Sequence, residues 1–97
     1  MSFTRYKLTI DCMIQSTEKR TVIYQMSSDE LFNVDGDLAL MCEFLSVGRK
    51  NNMSYNRDEI KAHLLTVSTG FVKNPEQDNV IESALKLLKE LRVIEDA

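Results

Sequence analysis

Residues 74–94, NPEQDNVIESALKLLKELRVI, carry the pattern on which the fold turns. Asn74 has N-cap chemistry, Pro75 stands where a first helical residue leaves its N–H unbonded, and Gln77 has the spacing of a capping box. Val80, Ile81, Ala84, Leu85, Leu87, Leu88 and Leu91 then form an apolar stripe wide enough to touch two neighbouring elements. Glu76, Asp78 and Glu82 open the segment, Lys86, Lys89 and Arg92 close it, and Glu82 lies four residues before Lys86. All of this suits a helix macrodipole and its surface pairs. The segment is expected to be the central core helix, with Arg92-Val93-Ile94 as a short extended end.

Upstream, Asn56 and Glu59 repeat the capping-box spacing before Ile60 and Leu64, which predicts a short helix over about 57–65. The β-branched, glycine-containing stretch from Thr66 to Gly70 leaves that helix, and Phe71 and Val72 pack as the chain crosses over. Leu38, Met41, Cys42 and Leu45 share one helical face, with Gly48 placed as its C-terminal stop. Ser27 and Glu30 also have capping-box spacing, so a single helical turn is expected there before Asp35-Gly36 interrupts it.

At the N-terminal side, Tyr6, Leu8, Ile10, Cys12 and Ile14 alternate with Arg5, Lys7, Thr9, Asp11 and Met13, the pattern of one half-buried strand. Thr21–Met26 resumes with Val22, Ile23 and Tyr24, so a β-hairpin with Glu18, Lys19 and Arg20 at its tip follows. The expected class is α+β: one domain over 1–97, a β-hairpin in 1–26 and a three-helix core in 27–97.

The composition is that of a globular protein, 43% hydrophobic and 28% charged with a single proline. A net charge of −3 opposes non-specific attraction of the whole molecule to phosphate. Positive charge gathers in 1–26 and 48–73, whereas 27–47 holds Asp29, Glu30, Asp35, Asp37 and Glu43 and no basic residue. Cys12 and Cys42 lie in apolar patterns without metal-clip or redox spacing and read as reduced core residues, an inter-element disulfide being the alternative. No apolar run reaches the roughly 18 residues of a membrane span, and a cytoplasmic protein is expected.

Chemistry finds no motif. His63 is the only histidine and reads as a boundary residue of the second helix; Ser68, His63 and Asp58 lack a nucleophile elbow. Neither zinc-ligand spacing nor a glycine-rich phosphate cradle occurs, so no enzyme activity, metal or cofactor is expected.

The succession of Leu38-Ala39-Leu40-Met41 with Phe44-Leu45, then Asn56–Ile60, then Val80–Ile94 resembles winged helix-turn-helix domains over a little more than half the chain. That resemblance implies a small DNA-binding regulatory protein acting in transcription, whose third helix would enter the major groove while a basic loop or wing holds phosphates. Carboxylates at the start of the third helix would repel phosphates, so contact falls to Arg49, Lys50, Asn51, Asn52, Tyr55, Arg57 and Lys73. Arg5, Lys7, Lys19 and Arg20 form a second basic cluster. The competing reading is a protein-interaction module, an adaptor or inhibitor, on the same scaffold without nucleic acid; its acidic 27–47 segment would suit a basic partner. An exposed hairpin edge could also pair with a second copy to give a homodimer.

Overall fold

Fifteen residues, Gly36–Lys50, form the longest helix, α1, and the elements before and after it set how it is buried. The computed structural model describes residues 4–97. In chain order the elements before α1 are β1 (Arg5–Leu8), β2 (Cys12–Ser16), β3 (Thr21–Gln25) and β4 (Glu30–Val34). After α1 come β5 (Tyr55–Asn56), α2 (Arg57–Val67), the single turn α3 (Thr69–Val72), α4 (Gln77–Glu90) and β6 (Ile94–Asp96). Two antiparallel sheets result, β5-β1-β6 and β2-β3-β4. The mixed α+β class expected from the sequence is thus observed.

The N-terminal part differs from the single expected hairpin. Residues 1–3 of that stretch lie outside the described residues; beyond them, the strand expected from Tyr6 through Ile14 is broken at Thr9–Asp11. Arg49 holds the break: its guanidinium Nη1 donates to the Thr9 carbonyl at 2.8 Å and to that of Cys12. The break turns Ile10 outward, 89% exposed, and sends β1 and β2 into different sheets. The β2–β3 hairpin itself forms, with Ile14 opposite Ile23.

Ser27–Glu30 starts no helix. Asp11 accepts from the Ser27 N–H at 2.8 Å and from its hydroxyl at 2.5 Å, so the N–H that Glu30 would accept in a capping box is taken and the Ser27 side chain is held toward Asp11. Asp29 takes φ of 53°, which a short polar side chain tolerates in a turn, and Leu31–Val34 continues the ladder as β4.

Gly48 does not end α1 but lies buried inside it, two residues before its close. A Cβ there would run into Tyr55 Cε2, so the missing side chain admits the Tyr55 ring against the helix. That ring stacks on Phe44 with centroids 4.2 Å apart, and Phe44 in turn stacks on His63 at 4.0 Å. His63 is thereby a packing residue at the α1–α2 seam.

The Asn56–Glu59 box forms as expected: Asn56 Oδ1 accepts from the Glu59 N–H at 2.8 Å and the Glu59 carboxylate accepts from the Asn56 N–H at 3.0 Å. α2 runs two residues beyond the expected end, to Val67. At Asn74 the cap expectation needs correction, because Asn74 accepts from the Glu76 N–H at 2.8 Å in a local turn and α4 begins at Gln77. Gln77 reaches back instead, donating to the Phe71 and Val72 carbonyls at 3.1 Å each. Ile81, Leu85 and Leu88 then enter a core shared with Leu8, Ile23, Met41, Leu45, Ile60 and Phe71. Cys12 and Cys42 are free thiols in the same core.

Candidate functional site

Backbone bonding at either end of the β2–β3 hairpin fixes which backbone groups of the second sheet face outward. Met26 N–H donates to the Asp11 carbonyl at 3.0 Å and Thr17 N–H to the Arg20 carbonyl at 2.8 Å. With Cys12 opposite Gln25, the same alternation makes Met13–Tyr24 and Gln15–Val22 hydrogen-bonded pairs. Thr21, Ile23 and Gln25 therefore aim their backbone groups at β4, where they meet Val34, Phe32 and Glu30. Leu31 and Asn33 are left with N–H and C=O pointing away from the sheet. At the opposite edge, where Cys12, Ile14 and Ser16 face outward, Arg49 covers the Cys12 carbonyl and α1 packs on β2.

Helix α4 meets this sheet through Gln25 of β3, whose amide donates to the Leu91 carbonyl. Its line Asp78, Glu82 and Lys89 is engaged: Asp78 meets Lys61 at 2.9 Å and Arg57 at 3.5 Å, Glu82 pairs with Arg57, and Lys89 meets Asp96 at 3.1 Å. The buried line Ile81, Leu85 and Leu88 faces the core. On the remaining flank Val80, Ala84, Leu87 and Leu91 follow one another at helical spacing and are only partly covered, Leu87 being 42% exposed.

Side-chain bonds link one end of α4 to β3 and the other end to α3, which is itself linked to α1. Gln25, opposite Glu30 at the start of β4, donates its amide to the Leu91 carbonyl. At the far end Gln77 holds α3, and Ser68 before α3 donates to Asp37, just past β4, at 2.6 Å. Phe32, Val34 and Leu38 on one side and Val80, Ala84 and Leu91 on the other are half-buried against the same core. Charge around β4 is negative, from Asp29, Glu30 and Asp35, all exposed.

Few of the residues singled out for DNA contact are free to make it. Arg49 is spent on the Thr9 and Cys12 carbonyls, and Arg57 bridges Asp78 and Glu82 on α4. Tyr55 is stacked, Asn51 donates to the Val47 carbonyl at 3.1 Å, and Asn52 turns the chain at φ 57°. Lys50 and Lys73 are exposed, on α1 and beyond α3. In the second cluster, Arg5 is fixed by Ser54 and by Glu59 at 3.0 Å, and Lys7 lies 3.8 Å from Glu95, while Lys19 and Arg20 are exposed at the hairpin tip. Lys7, Arg49 and Asn52 share the rim of an open pocket of about 350 Å³ that also includes exposed Ile10 and Met53. Sequence reasoning missed the β4 edge because Leu31 and Phe32 were assigned to a helical turn.

The other chemistry expectations concern absences. Among the described residues no group of His, Cys, Asp and Glu is arranged to hold a metal ion. No described helix is long and apolar enough to cross a membrane.

Two solved structures share this fold. One, described as TbiB1 in complex with the TbiA(beta) leader peptide, superimposes with a TM-score of 0.72 over 92% of this chain and 94% of its own, at 15% identity. The other, lasso peptide synthetase B1 complexed with the leader peptide, gives 0.68 over 93% and 96%, at 17% identity. No protein-family model matches the chain, and no curated protein matches it by sequence. DNA binding in transcription regulation, expected from the sequence, is overturned on these findings: both chains of like fold are peptide complexes, and Arg5, Arg49 and Arg57 of the expected phosphate contacts are engaged within the molecule.

Proposed function

We propose that this chain is a peptide-binding interaction module, which captures an extended segment of a partner as a strand added to β4. The single observation that carries the reading is the outward-facing backbone of Leu31 and Asn33 on an edge strand whose Phe32 and Val34 are half-buried against the core shared with α4. An open edge offers hydrogen bonds to any extended chain, and alternate side-chain contacts supply the selectivity. The two structures of like fold, each holding a leader peptide, support the same reading.

The scaffold part of the winged-helix expectation belongs to this proposal, with α1, α2 and α4 as its helices and β2-β3-β4 as the wing. The chain acts by binding rather than by catalysis. Selection of 12-residue linear peptides from a displayed random library, followed by amide hydrogen exchange, tests it. The Leu31 and Asn33 amides should exchange quickly in the free protein and slow when a selected peptide saturates it. Failure to select any peptide, or binders that leave those two amides fast, would overturn the reading. So would protection of both amides without peptide through pairing of two copies.

A further inference from the structure

The register of β4 specifies more than an open edge. Met13 lies opposite Tyr24 and Tyr24 opposite Leu31, so these three side chains form one row across the outer face of the sheet. Each is apolar or aromatic, and the row is open to solvent: Met13 is 43% exposed and Leu31 66%. The neighbouring row runs Gln15, Val22, Asn33 and ends polar at the same edge. Tyr24 is held in place by its hydroxyl, which donates to Asp29 at 2.6 Å and whose pKa is raised above the usual phenol value by that bond.

A strand added to β4 must put its hydrogen-bonded residues opposite Leu31 and Asn33, and a hydrogen-bonded pair places both side chains on the same face. The segment therefore presents the partners of Leu31 and Asn33 outward and only the residue between them, opposite Phe32, to the core-facing side of the sheet. The existing ladders are antiparallel, and continuing that sense makes the Asn33 partner precede the Leu31 partner in the segment. Glu30 and Asp35, exposed at the two ends of β4, form no ion pair among the described residues, which favours cationic side chains flanking the paired stretch.

We infer that the outer row Met13–Tyr24–Leu31 is a second specificity line of this site. It takes a large apolar or aromatic side chain from a cationic peptide segment, at the position paired with Leu31 and immediately after the residue that faces the core side beside Phe32. This inference rests on strand addition at β4 and adds the chemistry of the segment. It selects a three-residue pattern: a polar residue opposite Asn33, an apolar one opposite Phe32, a large apolar or aromatic one opposite Leu31, with Lys or Arg following.

The same 12-residue linear library is selected against the full chain and against two variants whose folding is checked by circular dichroism. Asn33→Pro removes an edge N–H that β3 does not use, as an edge position permits. Leu31→Lys replaces the end of the row and leaves the backbone edge intact. The wild-type chain should enrich the pattern, Leu31→Lys should retain binders but lose the preference at the outward position by about fivefold, and Asn33→Pro should abolish enrichment. Enrichment indifferent to Asn33→Pro overturns strand addition and this inference with it. Enrichment lost in Asn33→Pro yet equal in pattern between wild type and Leu31→Lys overturns the outer row alone. Should Asn33→Pro fail to fold, wild-type binders N-methylated at the residue opposite Asn33 take its place, and they should bind at least tenfold more weakly.

Discussion

Gly48 shows how one missing side chain organises a neighbourhood. Alanine would raise helix propensity by about 1 kcal/mol, but its Cβ would meet the Tyr55 ring, which is already stacked against Phe44. Overpacking of that kind costs about 1–3 kcal/mol, so Gly48→Ala should lower stability in urea unfolding; a gain instead would show that the ring is free to move. Cys42 offers a second test. Burial, with smaller contributions from Cys12 and Glu43, pushes its thiol from the ordinary 9.0 up to about 12. Because the folded-state value is the higher one, the unfolded chain loses this proton first as pH rises. The stabilising contribution is complete below about pH 9 and declines as pH climbs toward 12. The urea midpoint of the wild type should therefore fall more steeply between pH 9 and 10.5 than that of Cys42→Ala, and equal slopes would place the thiol nearer solvent.

The helices contain the interactions that were easiest to read from the chain. Asn56 and Glu59 close their box, and Asn56→Ala should cost about 1 kcal/mol in thermal or urea unfolding. Leu88 is fully buried on α4, so Leu88→Ala should cost about 2–5 kcal/mol; a loss below 1 kcal/mol would mean the surrounding core collapses into the space. Ser27 and Glu30 have the same spacing as Asn56 and Glu59 yet start no helix. The difference is tertiary: Asp11, sixteen residues away in sequence, takes both the N–H and the hydroxyl of Ser27, and β3 offers Leu31–Val34 a ladder. Spacing in a single sequence does not register such a competitor. The break at Thr9–Asp11 escaped for the same reason, since it depends on Arg49 arriving from the far end of α1. Periodicity predicted α4 well because its stripe meets the core by itself, whereas its start moved from Asn74 to Gln77 once Gln77 found the carbonyls of α3.

At the scale of the whole molecule, charge asymmetry was legible and its meaning was not. The acidic run from Asp29 to Glu43 stands in the sequence without a basic residue, but only the register of β4 puts Asp29, Glu30 and Asp35 along one open edge. Among the basic side chains that suggest phosphate, Arg5, Arg49 and Arg57 are turned to internal work, tying separate elements together. The exposed carboxylates of Asp29, Glu30 and Asp35, on a chain of net charge −3, should therefore speed the approach of a cationic segment and oppose a polyanion. For a Lys- or Arg-containing peptide selected on this protein, the association rate measured by stopped-flow fluorescence should fall several-fold as salt rises from about 20 to about 200 mM, while dissociation changes little. Glu30→Gln combined with Asp35→Asn removes two exposed carboxylates without touching a backbone bond, and should flatten that salt dependence. A slope that survives the double variant would move the electrostatic attraction elsewhere on the surface and leave the edge of β4 to act through hydrogen bonds and apolar contact alone.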